Sequence, residues 1–273
     1  ETTDLLVLTG VPPGQALSDQ VIQNVGSTES KGFELSLNLN PIENENFNLS
    51  LNGNLSYNFT EVTDLKGVEQ INAPNGGLPI GTGNFLLRHA LGEQAGSAWV
   101  LKQVYDVDGD PILGSFVDLN DDGKITEADR YYRAIQPNWT FGFGFNMNYK
   151  NWDLSASFRG QLDGEIYNSR QLTHGAIDNA KSLDGTFFIN SLNFFNGGAN
   201  PAFTDILDPV QYSDYFLEGA SFLRCENIVL GHTLNNLLKN VSVKIYGAVN
   251  NPFLITNYSG QDPENFTGID TNF

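Results

Sequence analysis

The feature that most constrains the fold is a strict alternation of apolar and polar residues along several long segments. In the segment FELSLNLN, residues 33–40, Phe33 and three leucines occupy every second position, with Glu, Ser and Asn between them. The segment FNLSLNGNLSYNF, residues 47–59, continues the same pattern. Successive side chains of a strand point to opposite faces, so this period of two predicts strands with one apolar and one polar face. Both segments exceed the roughly five or six residues that are usual in globular strands.

The same unit recurs twice more along the chain. Residues 141–149 and 152–158 alternate on either side of a tight turn at Lys150 and Asn151, and a less regular pair joins 222–234 to 241–249. These pairs predict three antiparallel hairpins. With one more strand near the start, the predicted strands begin near Thr3, Phe33, Phe47, Trp139, Trp152, Phe222 and Val241.

The connections between the predicted strands fall into two length classes. The turns after Asn40, Tyr149 and Leu234 are short, whereas residues 62–138, 164–221 and 251–273 form long segments between or after the hairpins. Outer-membrane barrels combine short periplasmic turns with long extracellular loops, and such long structureless connections are unusual in a compact domain. The fold class predicted is therefore all-β, an antiparallel transmembrane β-barrel segment with long extracellular loops. Alternation alone leaves a soluble β-sandwich open.

The two faces differ in composition as a barrel wall requires. The polar face is rich in Asn, Ser and Gly and poor in Lys and Glu, which fits a hydrated lumen. We expect lipid contacts for Leu35, Leu37, Leu49, Leu51, Phe141, Phe143 and Phe145, and lumen-facing positions for Asn38, Asn52, Asn146 and Asn148. Aromatic residues of the kind that form interfacial girdles lie near strand ends, namely Phe33, Phe47, Tyr57, Phe59, Tyr149 and Trp152. An open barrel edge cannot lie unpaired in hydrocarbon, so the predicted strands are expected to be a section of a larger barrel.

The charge excludes one class of partner. The chain carries 14 Lys and Arg against 32 Asp and Glu, a formal net charge of −18, whereas nucleic-acid binding needs a basic surface. We therefore expect no nucleic-acid partner. A single cysteine, Cys225, and three scattered histidines indicate neither an internal disulfide nor a zinc cluster.

The strongest local motif is DLNDDGKITEAD, residues 118–129. It has the spacing of an EF-hand loop, with oxygen ligands at positions 1, 3 and 5, Gly at position 6 and a carboxylate at position 12. The candidate ligands to a structural Ca²⁺ are Asp118, Asn120, Asp122, the backbone carbonyl of Lys124, and Asp129. The alternative is an Asx-rich turn that folds without metal, and Asp129 replaces the usual bidentate Glu. The nearby DVDGD, residues 106–110, is interpreted as a turn.

Several stretches in order along the chain form a specific set. They are TTDLL (2–6), QNVGSTESKGFELSLN (23–38), LPIG (78–81), FVDLNDDGKITEADR (116–130), TFGFGFNMNYKNWDLSASFRGQ (140–161), FLRCENIVLGHTL (222–234) and NNPFLITNYSGQDPE (250–264). The set resembles the SusC/RagA-like TonB-dependent transporters of the Bacteroidetes outer membrane, and it covers nearly the whole chain.

The resemblance implies that residues 1–273 are the C-terminal part of a barrel of about 22 strands, and that the plug, the N-terminal domain and the final strand lie outside this sequence. It implies a multi-pass β-barrel in the bacterial outer membrane, in contact with lipid. It also implies two protein partners: a SusD-like surface lipoprotein, and the TonB complex through the missing N-terminal region. The imported ligand would be an oligosaccharide or a peptide.

Catalytic chemistry has little support in the sequence. His89, His174 and His232 lie far apart, and no GxSxG, HExxH or Walker pattern occurs, so we expect a chain that is not an enzyme. The alternative function is that of a secreted calcium-binding β-sandwich that binds carbohydrate. Aromatic residues of segment 164–221 are candidates for lining a ligand cavity, with internal packing as the other interpretation: Tyr167, Phe187, Phe188, Phe194, Phe195, Phe203, Tyr212 and Tyr215.

Overall fold

The computed structural model describes residues 2, 6–10, 20–24, 26–73, 76–78, 83–175, 210–238, 241–265 and 267–270. In these residues the fold is all-β, with antiparallel sheets, one short α-helix and a few 3₁₀ turns. None of the described helices is long and apolar enough to cross a membrane.

The elements are numbered in chain order. The strands are β1 (Leu6–Gly10), β2 (Gln20–Asn24), β3 (Ser27–Glu43), β4 (Phe47–Asp64), β5 (Gln70–Asn72), β6 (Leu87–Ala90), β7 (Ser97–Leu101), β8 (Gln103–Tyr105), β9 (Pro111–Phe116), β10 (Arg130–Arg133), β11 (Trp139–Tyr149), β12 (Trp152–Leu162), β13 (Glu165–Tyr167), β14 (Leu217–Gly219), β15 (Phe222–Leu238) and β16 (Val241–Thr256). The α-helix is α1 (Ser169–Gly175), and 3₁₀ turns occur at Glu127–Asp129, Val210–Tyr212 and Asp214–Phe216.

The long strands form one six-stranded antiparallel sheet in the order β16-β15-β12-β11-β4-β3. The three predicted hairpins are confirmed as β3–β4, β11–β12 and β15–β16. The three hairpins lie side by side in the sheet, because β4 pairs with β11 and β12 pairs with β15. The first two of the long segments are the connections between these neighbouring hairpins. The strand expected near Thr3 differs from the prediction: Thr2 forms an isolated bridge with Thr28, and β1 pairs with β2 rather than with the large sheet.

The register separates apolar from polar side chains across the whole sheet. Phe143 of β11 lies opposite Phe158 and Gly53, and its ring stacks on that of Phe158 with centroids 4.7 Å apart. The next residue, Gly144, lies opposite Asn52 and Ser157. The same register aligns the central parts of β3, β4 and β11, so the apolar residues predicted to face lipid share one face, and the four predicted lumen asparagines share the other.

The apolar face of this sheet is not covered by a second sheet. Leu35, Phe143 and Ile245 are 58%, 43% and 62% exposed, and in the described part of the chain the six strands make their extensive contacts only with sheet neighbours. A β-sandwich buries this face against an opposing sheet about 10 Å away. The sandwich alternative therefore does not describe this fold.

The long segments are not structureless, which corrects the sequence-based expectation. We refer to the described residues of 65–135, 164–175, 210–220 and 257–270 as the loop module. It contains a four-stranded sheet, β10-β7-β6-β5, the hairpin β8–β9 and the two-stranded sheet β13–β14. Its buried core draws on all four segments, and includes Leu86, Leu87, Val100, Leu101, Phe116, Ile135, Tyr167, Leu172, Tyr212, Phe216 and Ile269.

Backbone hydrogen bonds join the loop module to the large sheet. The end of β4 pairs with the module, because Val62 N–H donates to Glu93 O at 3.0 Å and Ala95 N–H donates to Thr60 O at 2.9 Å. Within the module, a backbone hydrogen bond also holds the segment that follows β16, because Tyr167 N–H donates to Gly268 O at 2.9 Å. The module is thus a continuation of the sheet at the end of the strands opposite the short turns.

We predict that the apolar face contacts lipid, and a pair of arginine substitutions tests this. In the full-length protein, Phe143→Arg should reduce the amount of folded, heat-modifiable barrel in the outer membrane, because a lipid-facing arginine costs about 2–4 kcal/mol near the bilayer midplane. Asn146→Arg, in the same strand but on the polar face, should leave the amount near that of the unmodified protein. Equal loss in both variants, measured on gels of outer-membrane fractions, would contradict the assignment.

Candidate functional site

The predicted metal loop lies between β9 and β10, and its polar side chains turn back onto its own backbone. Asp118 Oδ2 accepts a hydrogen bond from Gly123 N–H at 2.7 Å, Asn120 Oδ1 accepts from Asp122 N–H at 3.0 Å, and Asp122 Oδ1 accepts from Lys124 N–H at 2.8 Å. Gly123 has a φ of +78° and open space where a Cβ would be. The glycine at position 6 therefore makes the sharp turn that the spacing predicts.

Asp129 closes the loop from its other end. Its side chain is fully buried, and its two oxygens accept hydrogen bonds from Leu119 N–H at 2.9 Å and Thr126 N–H at 2.7 Å. Thr126 in turn caps the 3₁₀ turn Glu127–Asp129 by accepting from Ala128 N–H. The bond from Thr126 N–H is the main cause that lowers the pKa of Asp129 below its ordinary value, against the effect of burial. The carboxylate is therefore ionised at neutral pH.

The loop holds carboxylates but no assembled metal cluster. No three His, Cys, Asp or Glu side chains come together as metal ligands anywhere in the described residues. Within the same residues, Asp118, Asp122 and Asp129 have no ion pair with Lys or Arg, and their hydrogen bonds come from neutral N–H groups and from the Thr126 hydroxyl. Each carboxylate has about four lone-pair positions, so oxygens remain for a hard cation such as Ca²⁺. The donor set thus fits calcium, and the ion stays a prediction.

The hairpin turn between β8 and β9 carries the second acidic cluster. Asp106 Oδ1 accepts hydrogen bonds from the N–H groups of Asp108 and Asp110, both at 2.9 Å, and Gly109 has a φ of +88°. This is the turn predicted for residues 106–110.

The described aromatic residues of segment 164–221 pack inside the loop module. Tyr167 is fully buried and donates through its hydroxyl to Gln211 O at 2.6 Å. Tyr212 is also buried, and Tyr215 packs against the core and edge-on against Phe216. Internal packing is thus the role of these three tyrosines. The phenylalanines at 187, 188, 194, 195 and 203 lie outside the described residues.

An ion-pair network that sequence analysis missed lies on the polar face of the large sheet. Arg159 and Arg224 lie opposite each other in β12 and β15. Arg159 pairs with Glu226 and Glu264, and Arg224 pairs with Asp262 at 2.6 Å. The only sequence signal was the appearance of Arg159 and Arg224 in strands whose polar face is rich in Asn, Ser and Gly.

The network borders an open cavity of about 250 Å³. The side chains and glycines that line it include Asn54, Thr140, Gly142, Arg159, Gln161 and Glu264. A Cβ at Gly142 would lie 2.6 Å from Asn54 Oδ1, so the glycine allows the amide to lie flat over β11. Phe141 and Phe222 also line it, so the cavity combines apolar surface with amide, hydroxyl and charged groups that can bind the polar groups of a ligand.

Comparison with curated proteins gives relatives along the whole chain. No protein-family profile matches the sequence. The chain is 35% identical over its full length to the TonB-dependent receptor SusC of Bacteroides thetaiotaomicron, and covers 28% of that protein. It is 29% identical over 97% of its length to the TonB-dependent receptor P3 of Formosa agariphila, again covering 28% of the relative. The chain thus spans less than a third of these relatives.

Comparison with solved structures gives the same fold. The RagAB peptide transporter matches with a TM-score of 0.70 at 22% identity, over 96% of this chain and 29% of that one. The RagAB peptide importer in its open-open state matches with a TM-score of 0.67 at 24% identity, over 98% of this chain and 29% of that one. The antiparallel sheet and its loop module therefore have the architecture of a portion of a TonB-dependent receptor barrel.

We predict that calcium stabilises the loop of residues 118–129 in the full-length protein. Calcium should raise the temperature at which the loop module unfolds, because a divalent cation relieves repulsion among nearby carboxylates. Asp118→Ala combined with Asp122→Ala should abolish this dependence and leave the barrel folded.

The matched control removes two carboxylates from the other acidic turn. Asp108→Ala combined with Asp110→Ala should keep the calcium effect. Calorimetry that detects no calcium binding at millimolar concentration, or the same loss of the calcium effect in both double variants, would refute the site.

Proposed function

Because this chain is a portion of a SusC/RagA-like TonB-dependent receptor, we propose that it forms part of the wall of an outer-membrane barrel through which the complete protein imports a ligand. The curated relatives are receptors rather than enzymes by their names. The role proposed for the described residues is accordingly passage and binding of a ligand, without catalysis.

The observation that carries the proposal is an exposed apolar band with aromatic rings at both ends. At one end, Trp139 packs against Tyr57 and Phe33 with centroids 4.8 and 5.6 Å apart. At the other end, Phe47 lies 6.4 Å from Tyr149.

The distance between these ends fits a bilayer. The 11-residue strand β11 has about ten steps of about 3.4 Å between its first and last residues, which makes it about 34 Å long. A tilt of about 40° from the membrane normal reduces its height to about 26 Å. The apolar band of an outer-membrane barrel is about 25 Å tall and has aromatic girdles at both interfaces.

The polar face and the loop module support ligand handling in this proposal. The polar face would line the lumen, where the cavity beside Arg159 offers hydrogen-bonding groups. The loop module would stand at the extracellular mouth, where a SusD-like lipoprotein covers the opening and traps an oligosaccharide or a peptide. The TonB complex would supply energy through regions outside this chain, and residues 118–129 would be a calcium-ordered clip in the module.

The topology proposed here predicts which residues a membrane-impermeant maleimide reaches in intact cells. Val107→Cys should be labelled, since Val107 is completely exposed at the tip of the β8–β9 hairpin. Glu45→Cys, in the exposed short turn between β3 and β4, should be labelled only after the outer membrane is permeabilised. The native Cys225 is buried and should give little background. Labelling of Glu45→Cys alone in intact cells would reverse the orientation.

Import itself can be tested in the native bacterium. Cells lacking the full-length gene should lose uptake of either a fluorescent oligosaccharide library or a fluorescent peptide library, and the gene on a plasmid should restore it. A protonophore should abolish the restored uptake, because transport is proposed to depend on the TonB complex. Unchanged uptake of both libraries in the deletion strain would argue against the proposed function.

A further inference from the structure

Two arginine side chains of the loop module lie over one indole ring. The guanidinium carbon of Arg88, in β6, is 5.1 Å from the ring centroid of Trp99, and that of Arg130, in β10, is 4.7 Å from it. Trp99 lies in β7, between the two strands. Arg88 is paired with Ser97 and Arg130 with Leu101, two residues before and after Trp99. The sheet therefore brings both cations to one face.

The two guanidinium groups lack the partners that buried cations usually have. Arg130 also lies 3.5 Å from the ring centroid of Tyr212, and its side chain is only 7% exposed. Each guanidinium carries five N–H donors. Yet among the described residues neither group donates a hydrogen bond, and the Nε of both is sealed without a partner. In the described part of the chain, the only carboxylate within ion-pair distance of either is that of Glu127, 3.7 Å from Arg130 Nη1 and 72% exposed.

The local charge is unbalanced. Burial and then the positive charge of Arg130 lower the pKa of Arg88, although a guanidinium stays protonated at neutral pH. Counted over the described residues, the two guanidinium groups and the Glu127 carboxylate carry a net charge of about +1. A partly buried charge without a partner is costly. Arg88 is only half-buried, so a ligand from solvent can approach the pair from its side.

We propose that Arg88 and Arg130, with Trp99 beneath them, bind one carboxylate group of the imported ligand. A planar guanidinium fork matches a carboxylate with two parallel hydrogen bonds, and a single negative charge balances the local excess. The ligand is then an acidic oligosaccharide or a peptide with a free carboxylate. This assignment rests on the proposed import function, because it identifies the site's occupant as cargo.

The assignment is tested by binding of small carboxylates to the full-length protein purified in detergent. The probes are glucuronate and N-acetylalanine, and their uncharged counterparts are glucuronamide and N-acetylalanine amide. Calorimetric titration at millimolar concentrations should detect at least one charged probe and neither neutral one. The probe that binds distinguishes a sugar acid from a peptide carboxylate.

Variants locate the binding. Arg88→Gln should weaken binding of the charged probe at least tenfold, or about 1.4 kcal/mol, because it removes charge-assisted hydrogen bonds to the carboxylate. The control is Arg170→Gln. Arg170 lies at the start of α1 and donates a hydrogen bond to Gln261, and this variant should bind the charged probe as the unmodified protein does. Binding of neither charged probe, or equal weakening by both variants, would overturn the site.

A measurement on the unmodified protein keeps the test independent of folding. Phenylglyoxal should modify Arg88, and mass spectrometry should show that the charged probe slows this reaction while its amide does not. Modification unaffected by the probe would overturn the site. None of these measurements requires TonB, so a failure of carboxylate binding is distinguishable from a failure of import.

Discussion

The backbone hydrogen bonding of the six long strands is the constraint on which the rest of the structure depends. Hydrocarbon offers no partner for an N–H or C=O group, so a membrane-spanning chain of strands must satisfy them between neighbours. Continuous pairing from β3 to β16 does this for the interior of the sheet. Once the ladder is fixed, side chains must alternate between faces. For a sheet in hydrocarbon, an apolar face needs no covering sheet, because lipid contacts that face.

The same pairing determines where the loop module forms. Strand β4 does not stop where its alternation fades near Phe59 but continues to Asp64, where its backbone bonds to residues 93 and 95. Val62, at this upper end, is almost completely buried. Strand β4 is thus half-buried or exposed along most of its length and becomes covered by the loop module at its C-terminal end.

The sequence allowed the large sheet to be predicted, because long amphipathic strands leave a period-two pattern. The three hairpins and the two faces followed from Phe33, Leu49, Phe143 and their neighbours. The loop module left no such signal, because its strands of three to six residues are too short to show a period. Its core joins residues far apart in sequence, as in the contact of Tyr167 with Gln211 and Gly268. Only the folded chain brings them together.

For the acidic loop of residues 118–129, the turn was predicted from the sequence, but the way in which Asp129 closes the loop was not. The spacing of residues 118–123 left both a metal loop and an Asx-rich turn open, and in the structure the side-chain oxygens of Asp118, Asn120 and Asp122 accept hydrogen bonds from the loop's own backbone. The burial of Asp129 was not foreseen, because Thr126 and Asp129 also form a capping box on a 3₁₀ turn. Both arrangements use the same carboxylate at the same spacing, so sequence cannot separate them. The structure shows the capping hydrogen bonds, and these pre-organise the oxygens that a cation would need.

The arginines show how an acid-rich chain distributes its few cations. On the polar face, Arg159 and Arg224 attract Glu226, Asp262 and Glu264, and these bonds fasten the segment after β16 across the wall. With 32 acidic residues against 14 basic ones, a carboxylate is readily available to a buried arginine. Arg88 and Arg130 nevertheless rest on aromatic rings, with only the exposed Glu127 near them among the described residues. Cation–π contacts alone offset part of the desolvation of a buried guanidinium. A ligand carboxylate that pairs with the two guanidinium groups would offset the rest of this desolvation free energy. For this reason we assign the pair to ligand binding rather than to a structural ion pair like those of Arg159 and Arg224.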